Sequence, residues 1–486
     1  MNTLDSLSFD NRFARLPHTL FSRTEPKGFS RPHLVAFNAD VAALLDLDPA
    51  EATRPDFCSF FGGQKLLPGS EPLAMKYTGH QFGGYNPDLG DGRGLLLGQI
   101  RNSKGEYWDM HLKGAGPTPY SRFADGRAVL RSSIREYLGS EAMHHLGIPS
   151  TRALCIIGSD ERVQREKIER GAMLLRVADT HIRFGHFEWL HHSGQSELLK
   201  VLADHVIDCH YPECRDSATP YASLFDAIVK RTAHLMAHWQ LVGFAHGVMN
   251  TDNFSITGTT FDYGPFGFLD AYQPGYICNH SDHSGRYAWN RQPSIGLWNL
   301  NALAHALSTL VEHDALVDSL QSYEKILLSH YDKGLSEKLG LQETHTNDRQ
   351  LGIDFLDLLM KSGADYTRSF RALSRIGINE EKPSLRDDFL DRDAFDQWCK
   401  RYQERLKAEG SQDKDRAIRM NTSNPKYILR NYLAQTAIEK AESGDFSEVE
   451  RLCLLLKTPF DEQPENEHYA NLPPDWGRHM EISCSS

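Results

Sequence analysis

The chain has 486 residues, 40% hydrophobic and 24% charged, enough apolar material for a large core split into two to four domains or lobes. Its formal net charge of −12 argues against broad binding to nucleic acid or to an anionic membrane, which needs a basic face; a local basic pocket is still allowed. No apolar run approaches the roughly 18–20 residues of a membrane-spanning helix. The start, Met1-Asn2-Thr3-Leu4-Asp5, lacks a secretory pattern. The eight cysteines include no C-x-x-C, and Cys209 and Cys214 beside His210 have no second pair to complete a zinc site. The expectation is a cytoplasmic protein.

Residues 1–72 are irregular and punctuated by Pro17, Pro26, Pro32, Pro49 and Pro55, with one short helix near Val41–Leu45. They read as an N-terminal extension packed on the neighbouring lobe. Next come Tyr77-Thr78-Gly79-His80-Gln81-Phe82-Gly83-Gly84 and Leu89-Gly90-Asp91-Gly92-Arg93-Gly94. The apolar run Leu95–Ile100, the turn signal Asn102-Ser103-Lys104-Gly105, and the alternation of Trp108, Met110 and Leu112 with Tyr107, Asp109 and His111 lead to Lys113. The pattern predicts glycine-rich loop, strand, turn, strand, lysine. Such glycines let backbone N–H groups approach phosphate oxygens, and a strand-end lysine adds a point charge. Taken singly, the loop is equally a tight hairpin turn and the lysine a solvated surface charge.

Ala124-Asp125-Gly126-Arg127 opens a helix-like segment whose apolar period runs through Val129, Leu130, Ile134, Tyr137, Leu138 and Met143 and ends at Gly147 and Pro149. Glu136 lies beside that stripe. Two further strands are expected at 154–157 and 172–177, followed by Arg176 and Arg183, which with Arg93 gather cations in an acidic chain. Arginine forks suit phosphate; surface salt bridges are the other reading. Helices are expected at 197–210 and 224–241, the second leading to Gly243-Phe244-Ala245-His246. A short hairpin is expected from 254–256 to 260–261. Residues 271–295 read as a polar loop in which His280, Asp282 and His283 are loop residues rather than metal ligands. Helices at 298–310, 353–360, 394–408 and 427–441 come after it, with linker-like junctions near Lys333 and Glu409-Gly410-Ser411.

His246-Gly247-Val248-Met249-Asn250-Thr251-Asp252-Asn253, followed by Asp262-Tyr263-Gly264, resembles the catalytic and metal loops of a protein kinase, H-R-D-x-x-x-x-N and D-F-G. His246 takes the His place, Asn253 the metal-holding Asn, and Asp262 the D-F-G Asp. The place of the catalytic Asp holds Val248, which cannot accept a proton, while a carboxylate stands at Asp252. In that frame Glu136 is the helix partner of Lys113. The expected fold is α+β and protein-kinase-like with two lobes: an extension at 1–72, an antiparallel-sheet N-lobe at 73–178, a helical C-lobe at 179–335 and a helical C-terminal region at 336–486.

The whole set of motifs, with Leu112-Lys113-Gly114-Ala115-Gly116 and Asp125-Gly126-Arg127, is similar to the selenoprotein O family in its cysteine-containing bacterial form; Cys484 takes the place of selenocysteine, third from the end. The resemblance implies a protein adenylyltransferase that moves AMP from ATP, bound reversed relative to a kinase, to Ser, Thr or Tyr hydroxyls of proteins including itself, releasing pyrophosphate. It assigns Gly90, Gly92, Arg93, Lys113, Asp125, Gly126, Arg176, Arg183 and Asp262 to the nucleotide and pairs Glu136 with Lys113. Asn253 and Asp262 go to Mg²⁺ or Mn²⁺, and Asp252 to the role of base. UMP transfer from UTP is a neighbouring possibility, and a Cys278–Cys484 disulfide would make activity redox-dependent. The competing readings are a γ-phosphate kinase, against which Val248 speaks, and a nucleotide-binding scaffold, against which the retained metal residues speak.

Overall fold

A computed structural model of the chain describes residues 1–343, 345–478, 480 and 482. In chain order the first part carries β1 (Phe21–Arg23), β2 (His33–Phe37), α1 (Ala39–Leu44), α2 (Phe57–Phe61), β3 (Leu73–Met75), β4 (Gly79–Gln81) and β5 (Gly84–Asn86). It continues with β6 (Gly94–Arg101), β7 (Tyr107–Lys113), β8 (Ala128–Val129), α3 (Leu130–His145), β9 (Arg152–Gln164) and β10 (Ile168–Ala178). Among the described residues the main sheet has eight strands in the order β1-β3-β6-β7-β10-β9-β2, with β8 on β10, and its pairings are antiparallel. Segment 1–72 thus supplies both end strands of that order.

The β6–β7 turn forms as the sequence predicts. Asn102 Oδ1 accepts from the amides of Lys104 and Glu106, and Gly105 adopts φ +80°, which a side chain resists. Strand alternation then divides the sheet into two faces. Leu95, Leu97, Met110, Leu112, Met173, Leu175 and Val177 join one core cluster with Leu4, Val41, Phe57 and Phe61 of the N-terminal segment. On the opposite face Leu96, Leu174 and Ala172 meet α3 through Leu130, Ile134 and Leu138. His111, Lys113 and Arg176 fall on this second face, and register sets Lys113 across from Leu174 and His111 across from Arg176.

The second part carries α4 (Phe184–His192), α5 (Ser196–His210), α6 (Pro220–Val242), β11 (Phe244–Ala245), β12 (Gly267–Phe268), α7 (Gln292–Leu307), α8 (His313–Lys338), α9 (Asp348–Ser362), α10 (Tyr366–Leu373), α11 (Arg392–Ala408), α12 (Asp413–Ser423), α13 (Asn431–Glu442) and α14 (Ser447–Leu456). This antiparallel sheet with a large helical part is the α+β class expected, consistent with a kinase-like two-lobed build. Pro220 opens α6 at a position where its missing N–H costs nothing, and Gly243 closes it at φ +71°. The chain then enters β11, whose pairing with β12 closes the intervening loop 246–266.

Two expectations are corrected. The arms 254–256 and 260–261 do not pair with each other: Ser255 bridges Arg183 and Thr260 bridges Ser150. Their backbone groups are taken by flanking segments, and this ties Arg183 to the catalytic loop. The chain near Lys333 is not a junction but the interior of the 26-residue α8. Gly334 does not break that helix, because a Cβ there would lie 2.2 Å from a Leu241 methyl; the glycine admits close approach of α6. Residues 409–411 do lie between α11 and α12.

Candidate active site

Between the sheet and loop 246–266 lies a cavity of about 460 Å³, within the range of small-molecule sites. Its wall includes Gly90, Gly92, Arg93, Lys113, Arg176, Arg183, Asp252, Asn253 and Asp262. Residues separated by up to 172 positions in sequence, Gly90 to Asp262, are therefore gathered as the motifs predict. Asp125 and Gly126 stay off this wall. Asp125 accepts both Arg165 Nη groups, at 2.9 and 3.0 Å, and the Arg127 amide at 2.8 Å. Gly126 packs against the loop after Lys113, where its carbonyl accepts from the Gly116 amide at 3.0 Å.

Behind the cavity runs a chain of alternating charges. Lys113 Nζ donates to Glu136 Oε2 at 2.5 Å, and Arg176 Nε donates to Glu136 Oε1. Arg176 Nη2 reaches Asp262 Oδ1 at 2.6 Å, and Arg183 Nη1 donates to Asp262 Oδ2. Lys113, Arg176 and Arg183 thus alternate with Glu136 and Asp262, and Arg183 also lies 4.0 Å from Asp91 Oδ1. Burial opposes ionisation of Glu136, but Arg176 and Lys113 outweigh it and hold its carboxyl below the usual range. Asp262 is held well below its ordinary value against burial by Arg176 and Arg183. Burial lowers Lys113 to about 8 even with Glu136 beside it. Asp262 sits at φ +60°, uncommon for a residue with a side chain.

The glycine loop is pinned by Asp91, the residue between Gly90 and Gly92. Its carboxylate accepts from the Met75 amide at 3.0 Å, Tyr77 Oη at 3.2 Å and His111 Nε2 at 3.2 Å. Burial raises its pKa, but His111 and Arg183 bring it to about 2, so it is an anion. Gly90 has φ +136°, and a Cβ there would lie 2.6 Å from the Tyr120 ring.

In the catalytic loop His246 Nε2 donates to the Phe261 carbonyl at 3.0 Å while Nδ1 accepts from the Val248 amide at 3.3 Å, so it serves as a neutral strut between the two motif segments. It stacks on Trp239 of α6 with centroids 5.3 Å apart. Asn253 Nδ2 donates to the Val248 carbonyl at 3.0 Å, which leaves Oδ1 as the amide atom able to take a cation. Asp252 Oδ2 accepts from Gln81 Nε2 at 3.2 Å, whereas its buried Oδ1 has no hydrogen-bond partner. Burial raises Asp252 to about 7, partly offset by Arg183, a value suited to a general base near neutrality. One ionised carboxylate at Asp262 and one amide oxygen at Asn253 suit a hard cation that takes its other ligands from phosphates and water. Among the described residues no group of three or more His, Cys, Asp or Glu forms a metal cage of its own.

Sequence reasoning gave no role to Asp91, His111, Tyr77, Gln81 or Tyr120, all on the cavity wall. His111 carried a signal, since period-2 alternation puts it on the same face as Lys113. Asp91 carried another, as the one carboxylate in its glycine loop. Gln81 carried none: its partner is 171 residues away.

A Lys–Glu pair, a pinned glycine loop, and Asn253 and Asp262 around one cavity form a kinase-like site, with Val248 in the place of a kinase's catalytic Asp and a carboxylate at Asp252. The sequence profile of the family described as "Protein adenylyltransferase SelO" matches residues 3–457. Relatives named "Protein nucleotidyltransferase YdiU" align over all of both chains. The relative from Pseudomonas fluorescens Pf-5 is 54% identical over 487 residues, that from Aliivibrio salmonicida LFI1238 55% over 486, and that from Myxococcus xanthus DK1622 53% over 488. The chain belongs to the SelO family of protein adenylyltransferases and is a nucleotidyltransferase.

Proposed function

We propose that the protein transfers AMP from ATP to the hydroxyl of a Ser, Thr or Tyr on a protein acceptor, itself included. The acceptor oxygen forms a bond to the α-phosphorus, the bond from that phosphorus to the bridging oxygen breaks, pyrophosphate leaves, and the hydroxyl proton passes to Asp252. The observation that carries this reading is Asp252 itself: a buried carboxylate on the cavity wall, raised to about 7, with one oxygen unpartnered, while Val248 fills the place of a kinase base. Arg93, Lys113, Arg176 and Arg183 supply charge against the phosphates. Asn253 and Asp262 would hold Mg²⁺ or Mn²⁺, which when bound neutralises phosphate charge. Gly90 and Gly92 let the loop backbone come close to the nucleotide with no Cβ in the way, Gly126 braces the loop beyond Lys113, and Asp125 holds Arg127 and Arg165 beside it.

Redox control belongs to the same reading. Cys484 lies outside the described residues. Two positions before it, the Ile482 carbonyl accepts from the His280 amide at 2.9 Å, two positions after Cys278. The tail thus reaches the segment that carries Cys278, which supports a Cys278–Cys484 tether.

The test uses ATP labelled separately at the α- and γ-phosphates, with UTP alongside, and traces label into protein for wild type and Asp262→Ala, reduced and oxidised. α-Label alone, lost in the variant, is expected. γ-Label would make the protein a kinase. Bound nucleotide with no transfer under either redox state would make it a scaffold.

A further inference from the structure

β4 and β5 form a hairpin of their own, apart from the main sheet. Its two-residue turn, Phe82-Gly83, has φ +50° and +88°, the primed-turn geometry that normally selects Asn-Gly. Phe82 holds that conformation while its amide donates to Tyr287 Oη at 2.9 Å and Asn250 Oδ1 at 3.2 Å. The His80 amide donates to Thr251 Oγ1 at 2.7 Å, and Gln81 Nε2 donates to Asp252 Oδ2. Residues 80, 81 and 82 thus grip residues 250, 251 and 252 of the catalytic loop.

The polarity of the central contact is set from outside. The Asp88 amide, which can only donate, bonds to Asn86 Oδ1 at 3.0 Å. Asn86 therefore turns its Nδ2 to Gln81 Oε1, at 3.0 Å. Gln81 in turn has only its Nε2 left to present to Asp252. A carboxylate held through one oxygen by this donor keeps the other, Oδ1, open to a further donor.

We propose that Gln81 is a positioning residue of the transfer reaction. Its polarity, fixed through Asn86 by the Asp88 amide, holds Asp252 by Oδ2 and leaves Oδ1 to receive the acceptor hydroxyl. This rests on the proposed AMP transfer, and it gives Gln81 and Asn86 a part that neither the H-R-D-x-x-x-x-N nor the D-F-G pattern contains.

Three variants separate positioning from simple bracing. Gln81→Leu removes the donor. Asn86→Asp keeps the acceptor for the Asp88 amide but can no longer donate, so Gln81 turns its amide around and presents an oxygen to Asp252. Asn86→Leu removes both bonds of residue 86 and leaves Gln81 free to keep its own orientation. The measurements are kcat for AMP transfer, equilibrium affinity for a fluorescent ATP analogue, and melting temperature. Expected are a kcat lower by about 10- to 100-fold for Gln81→Leu and for Asn86→Asp, the scale of one hydrogen bond to a charged group, and a fall of no more than about threefold for Asn86→Leu. Nucleotide affinity stays within about twofold throughout, which also sets aside a field effect of the new carboxylate. If Asn86→Leu is worse than Asn86→Asp, the hairpin is only a brace and the inference is overturned. If wild type transfers AMP and all three variants keep its kcat, the inference falls while the proposed function stands. If wild type transfers no AMP, both fall.

Discussion

Lys113 and Glu136 meet at 2.5 Å with side chains 5% and 1% exposed, one from the end of β7 and the other from the middle of α3. Because Glu136 also accepts from Arg176, one buried carboxylate compensates two buried cations. Glu136→Gln is expected to cost about 3–5 kcal/mol of stability, the scale for stranding a buried charge, and to abolish transfer. Lys113→Met leaves Glu136 paired with Arg176, so it should abolish transfer with a smaller loss of stability. Denaturant unfolding of both variants beside the labelled-ATP assay checks the contrast.

Asp252 gives a pH prediction for both rate and stability. Its carboxyl is raised by burial to about 7, and the base works only when ionised, so kcat/KM should fall as pH drops through about 7. For stability the sign is opposite to that of a salt-bridged acid. Between the ordinary Asp value and about 7 the folded state binds more protons than the unfolded state, so stability is lost as pH rises through that window. Asp252→Asn should therefore melt higher than wild type at pH 8 while transferring nothing. A variant that melts lower at that pH would contradict the burial cost.

Lys338, at the end of α8, is 4% exposed and lies over the faces of Phe370 and Tyr366, 4.3 and 5.3 Å from their centroids. Burial lowers its ammonium to about 7. Here the unfolded state binds more protons from about pH 7 up to the ordinary lysine value, so stability should rise with pH across that range. Lys338→Met, similar in size and free of charge, should raise the melting temperature at pH 7 and flatten this dependence. Thermal melts at several pH values decide it.

Gly90→Ala adds a methyl where φ is +136° and Tyr120 leaves no room. The loop must move, and with it the amides offered to phosphate. Nucleotide affinity is expected to fall at least tenfold and the melting temperature to fall with it, because moving the loop strains the buried hydrogen bonds of Asp91. Equilibrium binding of a fluorescent ATP analogue reads this directly.

Much of the site was legible along the chain because its parts are local devices. A strand ending in Lys113 and a helical stripe beside Glu136 were readable in the sequence, as was the spacing from His246 to Asn253 and on to Asp262; that Arg176 shares a face with Lys113 came from the register of β10 on β7. The class of fold came from a run of strands and a much longer run of helices. Contacts between distant segments were not legible. The arms around Ser255 and Thr260 looked like a hairpin because their composition favours strands, yet their partners are Arg183 and Ser150. The chain near Lys333 looked like a junction because nothing in the sequence announces that Gly334 admits Leu241 of α6. The sequence by itself determined which residue types were available: a carboxylate at 252, valine at 248, and arginines at 93, 176 and 183. Only the tertiary structure decided that Arg176 and Arg183 hold Asp262, that Asp91 pins the glycine loop, and that a hairpin grips the catalytic loop. Those outcomes depend on which buried charges and hydrogen-bonding groups find partners across the cavity, and local pattern carries no information about groups brought together from 14 to 171 positions apart.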